Sequence, residues 1–206
     1  MKNLIVSALA VASIAGAASA AVESFSFNFG PTAVPFSGNG NLSLFDTMGG
    51  TRVLIGVNVS YMVTLGANVV ATSNAGPQII TVGVSGSAAA SDGIFNRAGP
   101  INGNAVSPIL NNGDVFNFGS VSGSDTFAAA LPAFFFPAYT GVGTFVVNYS
   151  GSGLFGIVGQ GNAQLDVSAF EGFGKVQIDY TWREVPAPGA AALLGLSGLV
   201  ALRRRR

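Results

Sequence analysis

Residues 53–66, VLIGVNVSYMVTLG, alternate large apolar side chains with smaller or more polar ones at almost every step. A period of two places alternate residues on opposite faces of an extended strand, whereas a helix would repeat every 3.6 residues. We expect the odd-numbered positions from Val53 to Leu65 to face a core and the even-numbered ones to face solvent. The stretch therefore predicts a long β-strand with one buried face, which is typical of antiparallel sheets.

The same alternation returns in shorter runs on both sides of this stretch. The apolar positions of these runs are Phe25, Phe27 and Phe29; Ile80, Val82 and Val84; Phe145, Val147 and Tyr149; Ala163, Leu165 and Val167; and Val176, Ile178, Tyr180 and Trp182. Segments rich in Gly, Asn and Ser, such as 37–41 and 111–114, separate the runs and predict turns. Residues 21–184 keep no helical period, so we predict an all-β domain. An antiparallel β-sandwich of jelly-roll or Greek-key type is favoured over a closed barrel.

The composition excludes several classes of function. The chain has no histidine and no cysteine, which removes the commonest general base and the usual ligands of zinc, haem and copper. Residues 21–184 carry four cations and nine carboxylates, a net charge of −5, and so offer no basic face for phosphates. We expect a non-enzymatic domain without catalytic residues, cofactor, metal or nucleic-acid partner.

Two glycine-rich motifs have a structural and a functional interpretation. Residues 151–156, GSGLFG, match the spacing of a dinucleotide-binding loop, but the Gly-rich segment that follows cannot open the helix such a site needs. The carboxylates at 91–93 and 111–114 lack the spacing of a calcium loop. We therefore predict a hairpin turn at 151–156 and ordinary turns at the other two places.

The aromatic run Phe134-Phe135-Phe136 with nearby Tyr139 is the one candidate ligand patch. Three adjacent rings cannot all face one core from a single strand, so at least one should be exposed. An exposed ledge could stack on sugar rings or meet a protein partner. The alternative, which we favour, is that the run closes one end of the sandwich.

The amino-terminal residues 1–20 have the features of an export signal. A short positive segment precedes the apolar residues 4–17, and Ala18-Ser19-Ala20 matches the small-residue pattern of a cleavage site. We predict a signal-peptide helix that directs the chain through the Sec translocon. Signal peptidase would then release a domain that begins near Ala21.

Residues 185–206 have the features of a membrane-sorting segment. The order is Val185, Pro186, Ala187 and Pro188, then the small and apolar residues 189–202, then Arg203, Arg204, Arg205 and Arg206. A positive flank stays on the cytoplasmic side, so the domain would lie outside the inner membrane and the arginines inside. Residues 189–202 would form about 21 Å of helix against a hydrocarbon core of roughly 30 Å, which suits a transient signal better than a permanent anchor.

This tail resembles the PEP-CTERM sorting signal of Gram-negative bacteria, in which a Pro-Glu-Pro motif precedes a membrane helix and an arginine cluster. Ala187 stands where the family has glutamate, which leaves the cleavage position open. The resemblance implies that an exosortase processes the chain and delivers it to the cell surface or the extracellular space.

The domain itself resembles the choice-of-anchor E family, a secreted β domain found with alternative carboxy-terminal anchors. The residues that carry this resemblance are 118–125, FGSVSGSD; 139–144, YTGVGT; and 176–182, VQIDYTW. The family has no established catalytic residues. By analogy, the resemblance implies a role in biofilm or extracellular-matrix exopolysaccharide, and the alternative is a carbohydrate-binding module that uses the patch at 134–139.

Overall fold

The computed structural model describes residues 20–159 and 161–185, which form eight β-strands and one short 3-10 helix. The strands are β1 Ala21–Ala33, β2 Phe36–Ser43, β3 Arg52–Ser73, β4 Gln78–Ser91, β5 Asn96–Leu110, β6 Val115–Ala130, β7 Thr144–Ile157 and β8 Ala163–Glu184. The 3-10 helix, Ala133–Tyr139, lies between β6 and β7.

The strands form two four-stranded sheets that pack face to face. Sheet A has the order β1-β8-β3-β6 and sheet B the order β2-β7-β4-β5, and all neighbouring strands are antiparallel. The antiparallel pairs β1–β8 and β3–β6 lie in sheet A and the pairs β2–β7 and β4–β5 lie in sheet B, which is the order of a jelly roll. The structure confirms the predicted all-β sandwich and rules out the single closed barrel.

Strand β3 follows the predicted alternation only from Val57 onward. Its inward residues from Val57 to Leu65 are buried, but Val53 and Ile55 are exposed, contrary to prediction. The reason is a β-bulge: Leu54 pairs with Trp182 and Gly56 with Thr181, so Ile55 is an extra residue. A bulge reverses the faces of the residues on one side of it.

Strand β8 joins two runs that the sequence presents as separate strands. In the first run Ala163 and Leu165 turn inward but Val167 is exposed, contrary to prediction, and in the second the even-numbered residues from Gly172 to Tyr180 are buried. The two runs have opposite parity because the pairing with β3 shifts register next to Ala169, whose φ is +52°. This bulge lets one strand of 22 residues keep its apolar face on the core.

The predicted turns at 37–41 and 151–156 are wrong, since these residues lie inside β2 and β7. Their glycines make room for aromatic rings from other strands. A Cβ on Gly40 would lie 2.5 Å from the ring of Phe27, and a Cβ on Gly151 would collide with the ring of Phe36. Glycine within a strand often marks such a close approach instead of a turn.

The two long edges of the sandwich close in different ways. At the β1–β2 edge, rings fill the space between the sheets, and Phe29 stacks on Tyr149 with centroids 4.0 Å apart. At the β5–β6 edge, the backbones meet directly. A Cβ on Gly103 would collide with the carbonyl oxygen of Ser122, and one on Gly123 would lie 2.5 Å from the carbonyl carbon of Asn102.

The sandwich has two ends, which we call the exit end and the far end. The exit end holds the start of β1, the finish of β8 and the β2–β3, β4–β5 and β6–β7 connections, while the other connections form the far end. A large core rich in aromatic residues extends from the middle to the exit end, and it includes Phe45, Tyr139 and Tyr180. A smaller aliphatic core around Val69 and Ile80 lies toward the far end.

Candidate functional site

The exit end is fastened around the guanidinium of Arg52, a buried residue at the start of β3. The guanidinium carbon lies 3.8 Å from the ring centroid of Trp182 and 4.7 Å from that of Phe45, so the cation is held against two aromatic faces. Nη2 pairs with the carboxylate of Glu23, and Nη1 donates to the carbonyl oxygen of Asp46 at 3.2 Å. One side chain therefore ties β1, β8 and the β2–β3 connection together.

The described chain leaves the sandwich beside this cluster. The amide of Val185 donates to the carbonyl oxygen of Thr51 at 2.8 Å, which fixes the direction of the chain just after β8. A shallow cleft of about 640 Å³ lies at the same place, and its apolar lining includes Val22, Met48 and Trp182. The exit point is thus hydrogen-bonded to the sandwich and bordered by apolar surface.

The aromatic run closes the exit end and leaves one ring in solvent. The side chains of Phe135 and Phe136 pack against the large core, whereas Phe134 is 73% exposed. Tyr139 is fully buried and donates to the carboxylate of Asp92 at 2.6 Å. The geometry matches the favoured interpretation of the run as a plug, and only Phe134 offers a free ring face.

Three tyrosines are buried with their hydroxyls bonded, and each supports the fold. Tyr61 donates to the carboxylate of Asp125, and Tyr180 donates to the carbonyl oxygen of Ser43 at 2.9 Å. Burial, reinforced by the Asp125 carboxylate, raises the pKa of Tyr61 above its ordinary value, and burial does the same to the pKa of Tyr180. Burial and the bond to Asp92 likewise raise the pKa of Tyr139. These hydroxyls stay protonated at neutral pH.

The carboxylates of the two predicted turns are used by the turns themselves. The amide of Asn111 donates to Asp114 Oδ2 at 2.7 Å, and Asp92 Oδ1 accepts from the amides of Ile94 and Phe95 at 2.8 and 2.6 Å. Both predicted turns are confirmed. Among the residues that the structure describes, no three carboxylates, histidines or cysteines come together as a metal site would require.

A second surface feature lies on the outer face of sheet B. It is a groove of about 580 Å³ whose lining includes Ser85, Asn102 and Asn104, with Leu154 and Val158 beside them. The polar lining groups are uncharged amides and hydroxyls, which can both donate and accept hydrogen bonds. Such a lining suits a neutral, hydroxyl-rich ligand better than an ionic one.

The predicted export and sorting residues fall mostly beyond the described part of the chain. Ala20 is the first described residue and is exposed, and Val185 is the last. The others, which lie outside the described residues, are Ala18, Pro186, Ala187, Pro188, Arg203, Arg204, Arg205 and Arg206. In residues 20–159 and 161–185, no helix has the length and apolar character needed to cross a membrane.

Comparison with known proteins does not assign this chain to a family. No family model and no curated protein matches it. Among solved structures, a chain of the T13 IBDV viral particle is 12% identical, with a TM-score of 0.17. That alignment covers 84% of this chain and 41% of the viral one, and the likeness is too weak to carry an argument about fold or function.

Proposed function

We propose that this chain is an exported, non-enzymatic surface protein that an exosortase sorts through residues 185–206. The observation that supports the proposal is a coincidence of boundaries. Strand β1 begins at Ala21 and β8 ends at Glu184, which are the first and last residues of the domain predicted between the two sorting segments. Removal of both segments would therefore leave every strand of the sandwich whole.

The proposed pathway has three steps. The signal peptide takes the chain through the Sec translocon, the carboxy-terminal segment holds it transiently in the inner membrane, and the exosortase then releases or anchors the domain at the cell surface. The Arg cluster would stop transfer and keep the carboxy terminus inside. The role outside would be structural, in the exopolysaccharide matrix.

Intact mass spectrometry of the protein recovered from its native cells, fraction by fraction, tests this proposal. We expect loss of residues 1–20 and loss of the tail beyond about Pro188 in the surface fraction. A matched variant with Arg203–Arg206 replaced by glutamine should keep the signal-peptide cleavage and lose the second one. Retention of Arg206 in an unprocessed inner-membrane form of the natural chain would refute sorting.

A second candidate function is binding of exopolysaccharide, and the groove on sheet B favours it. The amides of Asn102 and Asn104 can bond sugar hydroxyls, and Leu154 offers an apolar contact. The patch at 134–139 contributes only Phe134 to such binding, since Tyr139 is buried.

Co-sedimentation with the exopolysaccharide of the native cells separates the two binding surfaces. If the groove binds, Asn104→Ala should weaken binding and Phe134→Ala should leave it unchanged. If the patch binds, the two variants exchange behaviour. If the natural chain co-sediments with the exopolysaccharide no more than the background level, as both variants then would, carbohydrate binding is eliminated.

A further inference from the structure

The exit end carries large apolar side chains that reach into solvent from three different segments. Val142 in the β6–β7 connection is 87% exposed and Phe134 is 73% exposed, while Met48 and Val22 are exposed beside the cleft. Single exposed apolar residues are common on protein surfaces. The far end also has exposed apolar residues, such as Ile109 and Val115, and what distinguishes the exit-end group is that it surrounds the point where the chain leaves the sandwich.

The length of the connection restricts what this end can face. Val185 is held to Thr51 at the edge of the exit end, and only residues 186–188 separate it from the apolar segment that begins at residue 189. The four Cα–Cα steps from Val185 to residue 189 span at most about 14 Å. Whatever surface receives the apolar segment must therefore lie within that distance of Val185.

We propose that the exit end rests on the lipid surface of the membrane that holds residues 189–202, with Val142, Phe134 and Met48 in the interface. This inference rests on the proposed membrane insertion of the tail. Because the connection is short, the sandwich would stand upright on the bilayer surface and would not be held at a distance from it. Its far end would then point away from the membrane, and the groove on the outer face of sheet B would face sideways.

The charges of the exit end indicate an apolar contact and not an electrostatic one. Glu23 is paired with Arg52, and Asp92 is engaged by Tyr139 and by backbone amides. Asp46 accepts from the amide of Met48 at 2.8 Å. Of the described cations at this end, Arg52 and Arg97 pair with Glu23 and Asp125, and Arg183 stands next to Glu184, so no cluster of free cations faces phosphate groups and added salt should not weaken the contact.

The far end provides a matched control. Ile109, at the finish of β5, is 66% exposed and so is comparable to the exit-end residues in size and exposure. Strand β4 connects the two ends with 14 residues, which places them roughly 45 Å apart at about 3.3 Å per residue. A probe near Ile109 should therefore stay in water if the sandwich stands on its exit end.

The absence of cysteine from the chain permits a direct measurement. Single-cysteine variants Val142→Cys, Met48→Cys and Ile109→Cys of residues 21–206, the chain that remains after the predicted signal-peptide cleavage, would be labelled with an environment-sensitive dye. They would be reconstituted into vesicles of phosphatidylethanolamine and phosphatidylglycerol that carry headgroup nitroxide quenchers. We expect several-fold stronger quenching at positions 142 and 48 than at 109, unchanged by added salt. Adding Phe134→Ser to the Met48→Cys chain should reduce the quenching.

The outcomes separate this inference from the function on which it rests. If the chain does not float with the vesicles, the tail is no membrane segment, and both the sorting proposal and this inference fail. If the chain floats but dyes at 142 and 48 remain in water, the lipid contact is overturned and sorting survives. Equal quenching at 109 would also overturn it, because the sandwich would then lie on its side or on its far end.

Discussion

The two long edges of the sandwich are closed in different ways, one by aromatic side chains and the other by direct backbone contact. At the β1–β2 edge, Phe27, Phe29 and Phe36 fill the gap between the sheets, and glycines opposite them make room for the rings. At the β5–β6 edge no ring separates Gly103 from Ser122, and the strands touch through their backbones. A ring can move by rotating its side chain, whereas a backbone in a sheet cannot move without breaking ladder hydrogen bonds. The β1–β2 edge should therefore tolerate a small added side chain better than the β5–β6 edge does.

The largest expected effect is the removal of a filling ring. Phe36 is buried and its ring covers both Gly151 and Gly172, so Phe36→Ala leaves a cavity above two glycines that have no side chains to fill it. We expect a loss of about 3–5 kcal/mol in the free energy of unfolding. Guanidinium unfolding followed by the fluorescence of Trp182, the single tryptophan, measures it. Phe134→Ala, which removes an exposed ring, should cost less than about 0.5 kcal/mol.

The same substitution placed at each edge compares the two edges directly. Gly123→Ala puts a methyl group against the backbone of Asn102, and we expect it to cost about 2–3 kcal/mol. Gly40→Ala puts the methyl group against the rim of Phe27, which can swing aside, and should cost about 1 kcal/mol or less. Guanidinium unfolding of the full chain would measure both changes in the free energy of unfolding. Equal costs, or a larger cost at Gly40, would show that the ring-filled edge is as rigid as the backbone one.

The dependence of stability on alkaline pH tests the hydrogen bond between Tyr61 and Asp125 beside the β5–β6 edge. Tyr61 bonds to Asp125, whose carboxylate packs against Gly99 of β5. At neutral pH, Tyr61→Phe should cost about 1–2 kcal/mol, because the carboxylate loses a donor. The raised pKa of Tyr61 means that the folded chain holds the phenolic proton more tightly than the unfolded one, so this stabilisation is present below pH ~10 and declines above it. The difference between the two proteins should therefore narrow from pH 9 to 11, and a difference that widens would contradict this account.

The smallest expected effect concerns a glycine that serves neither edge. Gly156 lies in β7 with no atom within 4 Å of the position that a Cβ would take, and its φ lies outside the left-handed region. Gly156→Ala should stabilise the protein by about 0.4–1 kcal/mol, because alanine restricts the unfolded chain. Differential scanning calorimetry would report a small rise in Tm. A lower Tm would mean that the contrast between the edges reflects a general intolerance of alanine in these strands.

The sequence predicts the fold class well and the positions of the strands unevenly. Alternation around Val57 to Leu65 identifies β3, because each odd residue there meets the core. Sequence reasoning misses β2, β5 and β6, since their glycines, serines and asparagines resemble loop composition. What decides their structure is the presence of a ring or a backbone from a distant strand, and period-2 patterns carry no information about that contact. The bulges at Ile55 and Ala169 are hidden for the same reason.

The candidate site was predictable only in part. The aromatic run at 134–136 is visible in the sequence, and the requirement that one ring be exposed is met by Phe134. The role of Arg52 is not visible, although it is one of only four cations in the domain, because Trp182 and Phe45 lie 130 and 7 positions away from it. Met48 and Val142 give no sequence signal either. Both residues lie at the exit end because of the strand topology, which the local sequence pattern does not determine.

The strand order also restricts the sequence in which the strands of this domain can pair. Strand β1 borders a single neighbour in sheet A, and that neighbour is β8, the last strand of the domain. If the chain is exported as proposed, its first strand therefore has no partner in sheet A until nearly the whole domain has crossed the membrane. Pairing of such sequence-distant strands is slow because loop closure precedes any gain in contacts. Before β8 is present, pairs such as β3–β6 and β4–β5 can already form, whereas β1 stays unpaired; β8 then completes sheet A by pairing with both β1 and β3.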